Sequence, residues 1–165
     1  MSSILKVDTI QTAAGGTPTA ADLGLNVSGS VLQVQHASVA SNITTSSGQD
    51  LTILTVNVTP KSASSKLFVT TSGWGMAIDN RGSQYTDSGY FLIKRDGSEI
   101  GRAYMFSQGS DATRALSALS SNSLVDSGST AQTSFVVSIT GGEVYDLVTI
   151  QNDIPITLTV FEIAG

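Results

Sequence analysis

From Val31 onward the chain is a succession of short runs of β-branched and aromatic residues, each closed off by a cluster of Gly, Ser, Asn or Asp. Nothing else in the sequence narrows the fold as much, because runs of this length and spacing are those of strands in a sandwich or barrel. Eight strands are predicted, over residues 31–36, 51–58, 66–74, 90–94, 99–106, 133–139, 144–150 and 157–163. Alternation is cleanest in 133–139. There Phe135, Val137 and Ile139 share one face and Ser134, Val136 and Ser138 the other, the pattern of a half-buried strand. In 156–163, Ile156, Leu158 and Val160 compete with Phe161 and Ile163 on the other side, so this strand is expected to meet apolar matter on both faces. Between Phe91 and Gly101, the dipeptide Asp96-Gly97 supplies the two positive-φ residues of a tight hairpin. Helix is scarce: only residues 112–119 have a helix-compatible composition, and their flanking serines leave loop and strand equally open.

The chain divides near residue 30. Residues 1–29 read as an arm, a strand-like piece at 4–10 followed by a Gly/Ala/Thr-rich segment, with too few large apolar side chains to build a core. The arm must therefore lean on something else. Residues 30–165 are expected to form one β-sandwich domain, the organisation that a chain of 165 residues favours.

Composition removes several function classes. Only 13% of the residues are charged, against about 25% in a typical soluble domain, while Ser and Thr fill 44 of the 165 positions. The surface is thus neutral and hydroxyl-rich. A net charge of −5, with eight scattered basic residues, argues against nucleic acid as a partner, since phosphate affinity rests on clustered Lys and Arg. Without cysteine there is no disulfide, thiolate metal site or thiol nucleophile. Residues 1–8 lack an uninterrupted apolar core of the signal-peptide kind, and no stretch approaches the ~20 apolar residues of a membrane span. The expectation is a soluble chain, without membrane insertion, that is not exported by the usual signal.

No catalytic constellation is visible, and neither a cofactor nor a metal is expected. His36 is the sole histidine and sits in an alternating strand, where a cross-strand polar role outweighs a triad or metal site built around one residue. Gly73-Trp74-Gly75 lacks the third glycine and the helix start of a dinucleotide loop. Asp79 and Asp87 share a polar loop with Asn80, a spacing open to a calcium ion or a glycosidase pair, but solvated turn carboxylates are the commoner reading. Asp111 and Asp126 invite the same reading. Trp74, Tyr85, Tyr90 and Tyr104 offer flat apolar faces with polar edges that suit sugar rings, while core packing or subunit contact explains Trp74 and Tyr90 at least as well.

Several stretches carry a resemblance. They are Ser3-Ile-Leu-Lys-Val-Asp-Thr-Ile-Gln11, Gly29-Ser-Val-Leu-Gln-Val-Gln35, Val58-Thr-Pro-Lys-Ser-Ala-Ser-Ser-Lys-Leu67, the Arg95-Asp-Gly-Ser-Glu-Ile-Gly101 hairpin, the Asp126-Ser-Gly-Ser-Thr130 turn and the closing Phe161-Glu-Ile-Ala-Gly165. Together they resemble a family of marine tailed-phage virion appendage proteins, often labelled tail-fibre proteins, and cover the arm and most of the β-domain. Residues 75–88 and 107–124 match none of it. The resemblance implies a homotrimer in the virion whose C-terminal domain is a jelly roll similar to the C1q and tumour-necrosis-factor fold. It also implies an N-terminal arm, through Ile4, Leu5, Val7 and Ile10, docked to other virion structural proteins. Ile156, Leu158, Val160 and Phe161 would then lie in core or trimer contacts. At 165 residues and without heptads or shaft repeats, the chain suits a capsid decoration, head protrusion or short fibre better than a long tail fibre. The rival reading is a tail-fibre or carbohydrate-binding module that engages host surface glycan.

Overall fold

Strands of three to thirteen residues can satisfy their backbone groups only by pairing with one another, so the fold follows from which runs find each other. The computed structural model describes residues 15–16, 28–41, 43–45, 50–78, 85–109, 114–141, 146–149 and 155–165. The arm residues Ile4, Leu5, Val7 and Ile10 lie outside them. The described strands are β1 (Val31–Val39), β2 (Ile43–Thr45), β3 (Asp50–Val58), β4 (Lys66–Ile78), β5 (Tyr85–Arg95), β6 (Ser98–Gly109), β7 (Arg114–Asp126), β8 (Thr133–Gly141), β9 (Asp146–Thr149) and β10 (Ile156–Ile163). No helix occurs among the described residues.

The strands form two antiparallel sheets. The smaller has the order β3-β8-β5-β6; the larger has β1-β10-β4-β9-β2, with β7 on the other edge of β4. β4 is long enough to hold two partners in tandem on one edge, β10 along Lys66–Ser72 and β9 along Gly75–Ile78, while β7 runs its full length. The pairings are nested: β1 with β10, β3 with β8, β4 with β7, β5 with β6. A long antiparallel ribbon rolled so that successive nested pairs fall in alternate sheets is a jelly-roll-like β-sandwich. At the centre of the nest is the Asp96-Gly97 turn, with φ of +48° and +84°, the double positive-φ geometry of a two-residue hairpin.

The core lies between the sheets. Phe135, Val137 and Ile139 of β8 are wholly buried, facing Leu67 and Val69 of β4 and Leu158 and Val160 of β10. Phe91 and Ile93 of β5 complete the layer. Each such side chain contributes about 1.5–3 kcal/mol relative to exposure. The inward period-two face of β10, Ile156, Leu158 and Val160, continues into Glu162, whose side chain is also fully buried.

Residues 114–126 form one strand, β7, where the sequence left helix, loop and strand open. Its inward positions are Leu119, Ser121, Ser123 and Val125, a face half hydroxyl. The reason is steric. Here the sheet edges close on one another: Ser123 Oγ donates to the Ile100 carbonyl at 3.0 Å, and a Cβ on Gly101 would stand 2.9 Å from Ser121 Oγ. β2 has no counterpart among the predicted runs, and β9 lies within the predicted run 144–150.

Candidate interaction surface

Four strands of the larger sheet bring one residue each into a single transverse row on its outer face. Val34 of β1 pairs with Phe161 of β10, Phe161 with Phe68 of β4, and Phe68 with Leu124 of β7. The two phenyl rings lie 6.1 Å apart, centroid to centroid, and tilted by 35°. The ends of the row are open to solvent, Val34 at 48% and Leu124 at 60%. Adjacent strands lie about 4.8 Å apart, so the row spans roughly 14 Å of continuous apolar surface. A polar stretch flanks it on one side. His36 Nδ1 shares a hydrogen bond with Thr159 Oγ1 at 2.8 Å, and Ser72 Oγ with Thr157 Oγ1 at 2.8 Å. On the other side the row runs from Val31 and Ile163 to Lys66 and Asp126, which form an ion pair that compensates its own charge.

β10 therefore works on both faces, as its sequence pattern suggests. Ile156, Leu158 and Val160 are in the core, and Phe161 is on the outer row against Phe68. His36 takes the cross-strand polar role. Asp126 pairs with Lys66, and its carbonyl accepts from Arg95 Nη1 at 2.6 Å. Asp79, Asp111 and the side chain of Asp87 lie outside the described residues. Among the described residues no group of three or more His, Cys, Asp or Glu side chains could hold a metal ion.

Of the aromatics grouped by the sequence, Tyr90 and Tyr104 are brought together and Trp74 is not. Trp74 lies in β4 on the outer face of the larger sheet, 42% exposed, two residues beyond Ser72. Tyr90 and Tyr104 face outward from the smaller sheet, on the opposite side of the sandwich, because Phe91 and Ile93 take the inward positions of β5. The side chain of Tyr85 lies outside the described residues. Nearness along the chain misled here: the β4–β5 connection crosses from one sheet to the other.

Tyr90 and Tyr104 oppose each other across β5 and β6, with rings edge-to-face at 5.2 Å. Arg102 lies 4.7 Å from the centre of the Tyr90 ring and 5.7 Å from that of Tyr104. Its Nε donates to Glu99 Oε1 at 2.8 Å and its Nη2 to Glu99 Oε2, a bidentate pair. Arg102 in turn holds the Glu99 carboxyl below the usual carboxylate range.

Glu162 was missed by sequence reasoning, although a charged residue continuing an inward apolar face was the available signal. Its Oε1 accepts from Lys61 N at 2.7 Å, Ser62 N at 3.1 Å and Ser65 Oγ at 2.7 Å; Oε2 accepts from Gln33 Nε2 at 2.6 Å. Burial raises the pKa of this carboxyl, but the hydrogen bonds led by Gln33 and Ser65 outweigh it, and the net displacement is downward. The carboxylate thereby fastens β1 and the 59–65 loop to the end of β10.

No family model matches the chain, and no curated protein does. Among solved structures it is similar to the VP2 subviral particle of infectious bursal disease virus, at 16% identity and a TM-score of 0.35, over 82% of this chain and 38% of that one. It is similar also to a chain in the structure of the Gx strain of that virus (18%, TM-score 0.35, 81% and 37%). A third is an arabinose-bound α-L-arabinofuranosidase (12%, TM-score 0.37, 87% and 24%). The chain spans less than two fifths of each of these, and likenesses of this size identify no shared function.

Proposed function

We propose that this protein is a non-enzymatic structural protein of a tailed-phage virion. In this reading it is a homotrimeric surface appendage, a capsid decoration, head protrusion or short fibre, docked to other virion proteins by its N-terminal arm. The observation that carries the self-assembling part is the row Val34–Phe161–Phe68–Leu124 on the outer face of β1, β10, β4 and β7. Copies meeting through this face cover apolar surface and bring together no uncompensated carboxylate or lysine among the described residues, since Lys66 and Asp126 neutralise each other. A net charge of −5 per chain leaves little repulsion among three close copies. Closure about a threefold axis would use each edge of the row once, without an open-ended contact. The sequence resemblance supplies the phage placement, and the jelly-roll-like sandwich agrees with it.

The test is the solution mass by light scattering of the full chain and of the variant Leu124→Arg. The side chain of Leu124 is 60% exposed, so the substitution spares the core. The expected result is three times the 17.0 kDa chain mass for the unaltered protein and a folded species of lower mass for the variant. A monomeric unaltered protein would overturn the trimer.

A further inference from the structure

We propose that Tyr104, Tyr90, Arg102 and Glu99 on β5 and β6 form a second binding site, a platform for a neutral hexopyranose, on the side of the domain opposite the apolar row. This goes beyond the assembly role and does not depend on the oligomeric state.

Tyr104 is 65% exposed, whereas Leu92, the apolar residue paired with Arg102 on the same face, is buried. The aromatic pair is not needed to specify the hairpin, because Asp96-Gly97 already sets that turn and Phe91 and Ile93 already anchor β5 in the core. What the cluster adds is order at the surface. Arg102 is fixed in three ways, by the bidentate contact with Glu99 and by the rings of Tyr90 and Tyr104. Long charged side chains ordinarily lose rotamer freedom when a ligand arrives, and this one has lost it beforehand.

The chemistry of a pyranose matches what is held there. One face of such a sugar is a patch of C–H bonds that stacks on an aromatic ring, and its rim is a circle of hydroxyls that both donate and accept. Tyr104 offers the ring. Arg102 keeps N–H groups beyond the two given to Glu99, and the Glu99 carboxylate keeps lone pairs beyond those taken by Arg102. Donor and acceptor thus stand side by side next to the stacking face. Charge selects the class of sugar: Arg102 is already neutralised by Glu99, so a sugar carboxylate would gain no free cation and would meet a like charge.

Size separates this reading from a protein contact. A tyrosine presents about 150–250 Å² in all, so the exposed part of Tyr104 covers one sugar ring, far below the ~800 Å² per partner of a stable protein interface.

The test is saturation-transfer NMR on the full chain with methyl β-D-galactopyranoside, methyl β-D-glucopyranoside and, as the acidic comparator, N-acetylneuraminic acid. The expected result is transfer to the ring C–H protons of at least one neutral glycoside. It should be lost in Tyr104→Ala, kept in Tyr104→Phe, and kept in Trp74→Ala, whose ring is on the other face. Arg102→Ala should weaken the signal severalfold. If Tyr104→Ala does not fold, displacement of the Tyr104 ring resonances by the glycoside in the unaltered protein decides the same point. The proposal is overturned by absence of transfer from both neutral glycosides, by transfer to the acidic sugar alone, or by undiminished transfer in folded Tyr104→Ala. A change in solution mass on Tyr104→Ala without any sugar signal would make the patch a protein contact and equally overturn it.

Discussion

Asp96 and Ser134 exchange two hydrogen bonds: the Asp96 amide donates to the Ser134 carbonyl at 2.9 Å, and the Ser134 amide donates to Asp96 Oδ1 at 2.8 Å. The other carboxylate oxygen accepts from Thr133 Oγ1 at 2.6 Å. Asp96 is also the one described non-glycine residue with positive φ. The tip of the central hairpin is thereby tied to the start of β8, with Arg95 Nη1 and Nη2 holding the carbonyls of Asp126 and Ser127 beside it.

Asp96→Ala removes both acceptors and places a less tolerant residue at φ +48°, and is expected to destabilise the domain by about 1–2 kcal/mol. Asp96→Asn keeps one carbonyl acceptor and the tolerance for this backbone conformation, so it should cost less. Urea unfolding followed by Trp74 fluorescence ranks the pair; equal midpoints for both variants would contradict the role given to the carboxylate.

Glu162 should be far less replaceable. A carboxamide in its place presents an N–H group where one donor now points, leaving at least one buried donor facing another. Glu162→Gln is expected to cost about 2–4 kcal/mol, in the range for breaking a buried charged network. Hydrogen exchange should locate the loss, with faster exchange at Gln33 and Lys61 than in β8. Uniform acceleration across both sheets would mean that Glu162 acts on global stability alone.

Acid should find the same residue. Glu162 and Asp96 are both held below their ordinary pKa values of 4.5 and 3.8 in the folded chain. Above those values their contribution is complete. As the pH falls through them the unfolded chain takes up protons that the folded chain still refuses, so stability declines until the folded groups protonate too. The urea midpoint of the unaltered protein should be level from about pH 7 to 5 as far as these groups decide it, and fall below about pH 4.5. Glu162→Gln should fall less steeply over that range; an identical slope would remove Glu162 from the account.

Gly101 and Ser121 form a steric pair across the closing edge of the sandwich. Gly101→Ala brings a methyl group to 2.9 Å from Ser121 Oγ and is expected to cost about 1–3 kcal/mol. Adding Ser121→Ala removes the oxygen and should recover part of that loss. A double-mutant cycle measures the coupling, and strictly additive effects would rule out the contact.

The parts of this fold that were legible in the sequence are those where one face is apolar without interruption. β8 showed its period of two because Phe135, Val137 and Ile139 all meet the centre of the core, and the Asp96-Gly97 turn was legible because its geometry demands those residue types. β7 was not. Its inward Ser121 and Ser123 answer to the backbone of β6 rather than to a side-chain layer, so burial left no hydrophobic period. The apolar row was half visible, in the second face of β10, but Val34, Phe68 and Leu124 join Phe161 only through registers that pair residues 56 to 127 positions apart. No local pattern encodes such registers. The same holds for Trp74 and Tyr90, neighbours in sequence that the crossing between sheets separates.

The outermost pair of the nest, β1 with β10, is extended by the Gly29 amide on the Ala164 carbonyl and the Ala164 amide on the Ser30 carbonyl, at 2.9 and 2.8 Å. The start of β1 and the end of β10 are therefore in contact at one pole. A short Gly/Ser bridge from Gly165 to Gly29 would convert the rolled ribbon into a closed loop, and new ends could then be opened elsewhere without changing a strand partner. For the same reason, a passenger joined after Gly165 would emerge beside Gly29, and a passenger meant to lie far from that pole would have to be inserted elsewhere in the domain.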